Sequence, residues 1–351
     1  MRFAFTPESL SIRDSVRGLL TRECTAAHVR QAWTSHDGRV PGLWGRLATV
    51  GVPGILAPEE QGGLGLTELE LVLVLEESGR FALPEPIVDT AAVGVPLLRD
   101  ARAIERLQSV TQGGETVAMG LAGAPFVVGA DTADLVLIEH AGEIHAPPRS
   151  AIHLEARASI DGSRRLFQVT WEPSRATRLV DAEHGATLLR AARDRGAVAV
   201  AAQLIGLSRA MLATTVDYVK ARHQFGKPVG SFQAVKHHLA DALIAIEMAA
   251  PVVYRAAYSV SLGDAQASTH ASMAKAMASD AAELVARQAL QCHGAIGYAF
   301  ENDLHLWMKR VWVLSASWGD AAWHRARVGR MLFEGSQLEG SQLEGSQPGG
   351  M

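Results

Sequence analysis

The sequence predicts a mainly α-helical protein with a small antiparallel β domain set between two helical regions. Three observations predict it. Apolar residues recur three and four apart before about residue 110 and again after about residue 181, the period of helices with one buried face. Between about Thr111 and Thr177 that pattern gives way to short, often alternating apolar runs separated by Gly, Pro and Asp, as small antiparallel strands require. Apolar residues make up 48% of the 351, so a large core can offset the chain entropy lost on folding. The expected organisation is an N-terminal helical domain over 1–110, a reduced middle β domain over 111–180 and a C-terminal four-helix bundle over 181–333. A low-complexity tail, 334–351, follows.

TPESLSIRDSVRGLL opens the first helix with a Thr6 cap, Pro7 at the first helical position and Glu8 in the first turn, a standard start signal. LWGRLATVG is a short amphipathic helix ended by Gly51, and APEEQGGLGL is a glycine-punctuated loop. TELELVLVLEESGR is a third helix, with Thr67 as cap and Gly79 as stop. TVAMGLAG, DLVLIEH, EIHAPP, AIHLEA and RLFQVTW are the strand candidates. Alanine-rich periodic segments over roughly 183–222, 232–262, 265–293 and 301–331 supply the bundle. The tail EGSQLEGSQLEGSQPGG repeats a five-residue unit with Glu334, Glu339 and Glu344 in register. Its polar Gly/Ser composition cannot bury a core, so disorder is expected there.

Composition excludes several function classes. A net charge of −4 with nearly balanced acids and bases gives no basic face for nucleic acid. Cys24 and Cys292 stand far apart and in no metal-ligand spacing, which argues against a disulfide framework or a zinc site. No run approaches the roughly 18 apolar residues of a membrane span, and MRFAFTPESL has no basic-then-apolar leader. A soluble cytoplasmic protein, with no membrane partner, is expected. His237, His238 and His305 lack any metal-binding spacing and read as surface or packed residues. Trp307, Trp312, Trp318 and Trp323 recur at intervals of five, six and five, roughly one helical face suited to core or subunit-interface packing.

One interruption of the helical pattern carries chemistry. YVKARHQFGKPVGSFQAVKHHLAD, Tyr218 to Asp241, sets Arg, Gln, Phe, Pro and Gly between two amphipathic segments. This stretch, QALQCHGAIGYAFENDLHLWMKR (Gln288 to Arg310) and LWGRLATVGVPGILAPEEQGGLGLTELELVLVLEESGR closely resemble the acyl-CoA dehydrogenase family, over about residues 3–110 and 185–333. The resemblance implies FAD as cofactor, its ADP half held across a subunit interface. The arginine of R-x-Q-F-G would meet the pyrophosphate, and a Q-x-x-G-G turn would offer amide and backbone N–H groups to the same moiety. A guanidinium forks onto phosphate oxygens, and glycine lets backbone donors approach an anion. The matching positions are Arg222, His223, Gln224 and Phe225, the Phe232–Gln233 pair, and Gln291, Cys292, His293, Gly294 and Ala295. Ala295 replaces the usual second glycine.

The same resemblance exposes two gaps. The family desaturates a thioester by removing the α proton with a glutamate while the β hydrogen leaves as hydride to the flavin. One family position for that glutamate is Trp318 in SASWGDAAWH; the other falls around Gly196 in RDRGAVAV. Neither holds a carboxylate. Asp320 and Asp194 lie near, but aspartate is a methylene shorter, and attack geometry is sensitive to about an ångström. The family's ring-contacting loop and strand are also replaced, by LAGAPFVVGADTADLVLIEH and RLFQVTWEPS. The resemblance is therefore to the subunit without the catalytic glutamate in heterotetrameric (α2β2) acyl-CoA dehydrogenases. It implies a homologous catalytic partner, an acyl-CoA substrate bound at the complex, with a steroid side-chain thioester as the class the resemblance suggests, and no catalytic residue here. The alternatives are a self-sufficient homo-oligomer with Asp320 as base, or a flavin-free scaffold.

Overall fold

The computed structural model describes the backbone of residues 4–344 and the side chains of residues 4–333. Helices α1 (Pro7–Glu23), α2 (Ala26–Thr34), α3 (Leu43–Thr49), α4 (Glu68–Arg80), α5 (Val95–Asp100) and α6 (Ile104–Thr111) form the first unit. Thr6 Oγ1 accepts the Ser9 N–H at 3.2 Å at the start of α1. Thr67 and Glu70 close a reciprocal capping box on α4, which satisfies otherwise orphaned N–H groups. A π-helical turn, Val88–Gly94, runs into α5; such turns recur at functional sites.

Gly79 does not end α4. It lies within the helix, where an added Cβ would stand 2.0 Å from the Gln203 carbonyl oxygen of α7 (Ala182–Ala221). On α7, a Cβ at Gly206 would stand 1.8 Å from the Glu76 carbonyl oxygen. The two glycines let the backbones cross in contact. Gly206→Ala is expected to force the helices apart and destabilise the fold by about 3 kcal/mol or more, read as a lowered thermal midpoint with unchanged helix content at low temperature.

The middle unit holds two sheets. β1 (Val117–Gly120), β3 (Leu135–His140), β4 (Glu143–His145) and β7 (Arg178–Val180) form a four-stranded sheet in the order β1-β3-β4-β7. β2 (Val127–Val128), β6 (Leu166–Thr170) and β5 (His153–Arg157) form the other. The expectation of an all-antiparallel domain needs correcting, because β1 and β3 pair in parallel. The chain leaves β1 to contribute β2 to the second sheet, then returns beside β1 in the same direction. Ala118, Val127, Val136, Ile138 and Phe167 form a small core of their own between the sheets.

The bundle comprises α7, α8 (Gln233–Ser261), α9 (Ala267–His293), α10 (Leu304–Ala316) and α11 (Ala321–Glu344). Its core is continuous with that of the N-terminal helices. Among the described residues α7 is the one helix long and apolar enough to cross a membrane, but 78% of its most apolar window is buried inside the protein, which makes it a core helix. The segment expected as one helix over 301–331 is two. Trp318 and Gly319 adopt φ of 58° and 91° and break it. The break also splits the tryptophan stripe: Trp307 donates to the Arg80 carbonyl at 2.9 Å, whereas Trp312 and Trp323 are exposed. The backbone stays helical through Glu344, into the segment expected to be disordered; a repeat with Glu, Gln and Leu at three of five positions tolerates helix well. Residues 345–351 of that tail lie outside the described residues.

Arg310 of α10 ties the three units together. Its Nε meets Asp161, its Nη1 donates to the Leu83 carbonyl at 2.7 Å, and its Nη2 donates to Ser163 Oγ at 2.5 Å. Burial alone would raise the Asp161 carboxyl, but the Arg310 charge and hydrogen bond hold it below the usual carboxylate range.

Candidate functional site

Two regions matter, an edge at one end of the bundle and a cavity between the three units. At the edge, the interruption between α7 and α8 folds as a two-residue hairpin. β8 (His223–Gln224) pairs with β9 (Lys227–Pro228), and Phe225 and Gly226 at the tip both have positive φ, 54° and 76°. Two successive left-handed residues match the twist of a tight hairpin. Glycine adopts that conformation freely, but for Phe225 it costs about 1–3 kcal/mol. The turn displays its ring, 89% exposed, in edge-to-face contact with Phe232, over which Lys227 Nζ sits 4.4 Å from the centroid.

Arg222 ends α7, exposed and without an ion-pair partner among the described residues. Its carbonyl accepts the Val229 N–H at 2.8 Å, which anchors the hairpin base. His223 and Gln224 are exposed, Phe232 caps α8 half-buried, and exposed Gln233 is its first residue.

The second motif meets the first. His293, the last residue of α9, stacks on Tyr218 with centroids 4.3 Å apart and planes within 15°. Its Nδ1 hydrogen-bonds to the Ala289 carbonyl at 2.8 Å, and burial lowers its pKa. His293 is thus a packed joint. Gln291 is exposed beside it and Cys292 half-buried. Gly294 has φ 66° and ψ −146°, a conformation nearly confined to glycine, and a Cβ there would meet open space. Ala295 is exposed in the turn that follows. From the N-terminal unit, Arg30 holds the segment that follows this turn: its guanidinium donates to the Phe300 and Glu301 carbonyls and to Asp303 Oδ1. The Tyr218–His293 stack thus brings the ends of α7 and α9 together, and Arg222, Gln224, Gln291 and Gly294 near those ends are exposed. Tyr218 and Arg30 were not singled out from sequence. Tyr218, one helical turn before Arg222, carried a signal in its i, i+4 spacing; Arg30 carried none.

The cavity, about 610 Å³, lies between the segment around Leu83–Asp89, the β domain and the α10–α11 break. Trp318 stands on its wall. An added Cβ at Gly196 would lie 2.2 Å from Trp318 Cε3, so the indole lies directly against Gly196. The two positions where sequence places the missing base are in contact, and an aromatic ring fills the space between them. Asp320 is exposed and caps α11, its Oδ1 accepting the Trp323 N–H at 2.7 Å. Asp194 is buried and engaged: Arg327 Nη1 donates to it at 2.7 Å and Ser268 Oγ at 2.5 Å. Asp194 is therefore neutralised by an ion pair, whereas Asp320 lines the cavity with one carboxylate oxygen engaged in the cap.

The break around Trp318 is held from below. Lys275, fully buried, donates to the Ser315 carbonyl at 2.9 Å, the Gly319 carbonyl at 3.0 Å and Ser279 Oγ at 3.1 Å. Burial pulls its pKa down to about 7. His324 Nε2 hydrogen-bonds to the Trp318 carbonyl at 3.0 Å, and burial lowers that imidazole to about 4.

A helical bundle beside a small β unit and an N-terminal helical unit, with a cavity lined by all three, is the architecture of the family that the sequence resembles. The chain belongs to the acyl-CoA dehydrogenase family: its N-terminal domain model matches residues 6–102 and its C-terminal domain model residues 183–333. The family comprises FAD-dependent oxidoreductases acting on CH–CH bonds. Acyl-CoA dehydrogenase IpdE2 of Mycobacterium tuberculosis is 33% identical over 306 residues, covering 87% of this chain and 91% of that protein. Two solved structures share the fold. The Tcur3481-Tcur3483 steroid ACAD aligns with a TM-score of 0.84 at 24% identity, over 94% of this chain and 99% of that one. The ChsE4-ChsE5 complex from Mycobacterium tuberculosis aligns with a TM-score of 0.82 at 22% identity, over 95% and 99%.

Proposed function

We propose that this chain is the cofactor-supporting subunit of a heteromeric, FAD-dependent acyl-CoA dehydrogenase, lending the edge of its bundle to the flavin of a homologous catalytic subunit. The observation that carries the reading is the Trp318 indole packed on Gly196, which leaves no room for a base at either family position. When bound, the flavin supplies the hydride acceptor for α,β-desaturation of the thioester. This chain's residues hold its ADP half: Arg222 forks onto the diphosphate, the Gln224 and Gln291 amides donate beside it, and Gly294 lets the backbone come close.

Likeness to complexes named for two unlike chains supports a partner of the same family, as an α2β2 assembly. So do exposed Ile244 and Met248 on α8 and exposed Tyr298 and Phe300 beyond α9, apolar surface of the kind that marks interfaces. A steroid-derived acyl-CoA is the favoured substrate class, on the description of one structural neighbour. Asp320 as base is disfavoured by its capping bond. A flavin-free scaffold is disfavoured because such a fold has no use for the strained Phe225 hairpin.

The test is to purify the chain alone and with its partner, then measure flavin per chain and dye-linked acyl-CoA dehydrogenation. One flavin for every two chains in the complex, and none retained by the lone chain, is expected. Stoichiometric flavin with full turnover from the lone chain would overturn the reading, and a flavin-free active-size complex would favour the scaffold.

A further inference from the structure

We propose that Lys275 is a proton-sensitive latch on the α10–α11 break: as a neutral amine it ties the turn to α9 and keeps the Trp318 indole on Gly196, and on taking up a proton it releases that wall of the cavity. The inference goes beyond the preceding reading and holds whether or not the bundle edge supports a flavin.

The latch is first a matter of geometry. Trp318 and Gly319 both have positive φ, 58° and 91°, and a tryptophan stays left-handed only where its surroundings impose it. Lys275 Nζ contacts the Ser315 carbonyl at 2.9 Å, before the turn, and the Gly319 carbonyl at 3.0 Å, within it. One atom therefore spans the strained residues. The third contact, Ser279 Oγ at 3.1 Å, belongs to α9 itself. Lys275 is 0% exposed and forms no ion pair among the described residues, although a lysine withdrawn from water is normally paired or neutral.

The hydrogen inventory decides which form the site suits. Carbonyls only accept, so two contacts use N–H donors in either form. An ammonium spends its third N–H on Ser279 Oγ and leaves the Ser279 hydroxyl proton without an acceptor among the described residues. The lone pair of a neutral amine accepts that proton, and all three contacts are then satisfied.

The surrounding charges agree. Burial pulls the Lys275 pKa down to about 7, against the opposing charges of Asp320 in the turn and Glu283 on α9. From α11, His324 bonds to the Trp318 carbonyl with its own pKa lowered to about 4 by burial, and Arg327 is paired with Asp194 of α7. Of the two carboxylates, Asp320 acts more strongly on Lys275. An ammonium drawn toward it, and toward water, lets go of the Ser315 carbonyl and frees the turn. The sign in pH follows. An unfolded lysine keeps its proton to about 10.5, so between about 7 and 10.5 the unfolded chain binds more protons and the fold gains stability as pH rises; it loses that stability as pH falls back to about 7.

The chain has five lysines, Lys220, Lys227, Lys236, Lys275 and Lys309, few enough to follow singly. The experiment labels the full-length chain with isotopic lysine and fluorinated tryptophan and follows both by NMR from about pH 6 to about pH 9. Lys275 is expected to titrate with a midpoint of about 7 while the others keep their protons. The Trp318 resonance, identified as the one missing from Trp318→Phe, is expected to shift with the same midpoint. In denaturant, the unfolding constant should fall about ten-fold between about pH 7 and pH 8.5. Lys275→Met should abolish all three effects. A Lys275 that keeps its proton to about pH 9, a Trp318 resonance that does not move with it, or a Trp318 transition unchanged in a folded Lys275→Met chain would overturn the proposal. If that variant does not fold, the coincidence of the two midpoints in the unaltered chain decides.

Discussion

Arg222→Ala, introduced into the complex with the catalytic partner, is expected to weaken flavin retention about ten- to a hundred-fold, the loss of a charge-assisted contact to phosphate. The chain itself should melt where it did before. Arg222 is exposed and makes no ion pair among the described residues, and only its backbone carbonyl anchors the hairpin. Arg222→Lys keeps the charge but loses the fork and should fall between. The measurement is the rate of flavin loss on dilution, with acyl-CoA turnover followed before and after adding excess FAD. Excess FAD should restore turnover in the alanine variant. Flavin retention unchanged by Arg222→Ala would remove this residue, and with it the edge, from the cofactor site.

Arg310→Met is expected to have the largest effect on stability, about 3–5 kcal/mol. Removing one partner of a buried pair strands the other charge, and Asp161, 1% exposed, would keep Ser163 as hydrogen-bond donor and only the neighbouring Arg164 charge. The Leu83 carbonyl would also lose its donor. Pairing the change with Asp161→Asn should recover part of the loss, because the stranded charge is then gone. Denaturant titration of the two variants reads both values. A loss below about 1 kcal/mol in Arg310→Met would show that the three units dock without this tie.

The helical regions were legible because their apolar period and their caps act locally: Thr6 and Thr67 cap as their spacing indicates. At the bundle's end the exposure of Arg222, Gln224 and Gln291 follows from polar residues at helix ends, whereas the Tyr218–His293 stack that joins the two motifs was not read from them. Features that depend on distant backbone were not legible either. Gly79 reads as a helix stop, yet its role is set by a carbonyl more than a hundred residues away on α7. The parallel β1–β3 pair depends on which sheet takes β2, and nothing within either strand encodes that. The break at Trp318 looked like continuous helix because Trp, Ala and Ser keep the period across it; buried Lys275 and His324 fix it from other helices or turns.

The contact between Trp318 and Gly196 also bears on how reversible the loss of the base is. A glutamate appearing at position 196 would collide with the indole at its first side-chain atom. A glutamate at position 318 would have to adopt the left-handed backbone now held there and would uncover an unfilled space over Gly196. Neither single change rebuilds a working site, so each meets a barrier before any benefit. The packing acts as a ratchet: with the ring seated on the glycine, a carboxylate at either position requires two coordinated substitutions.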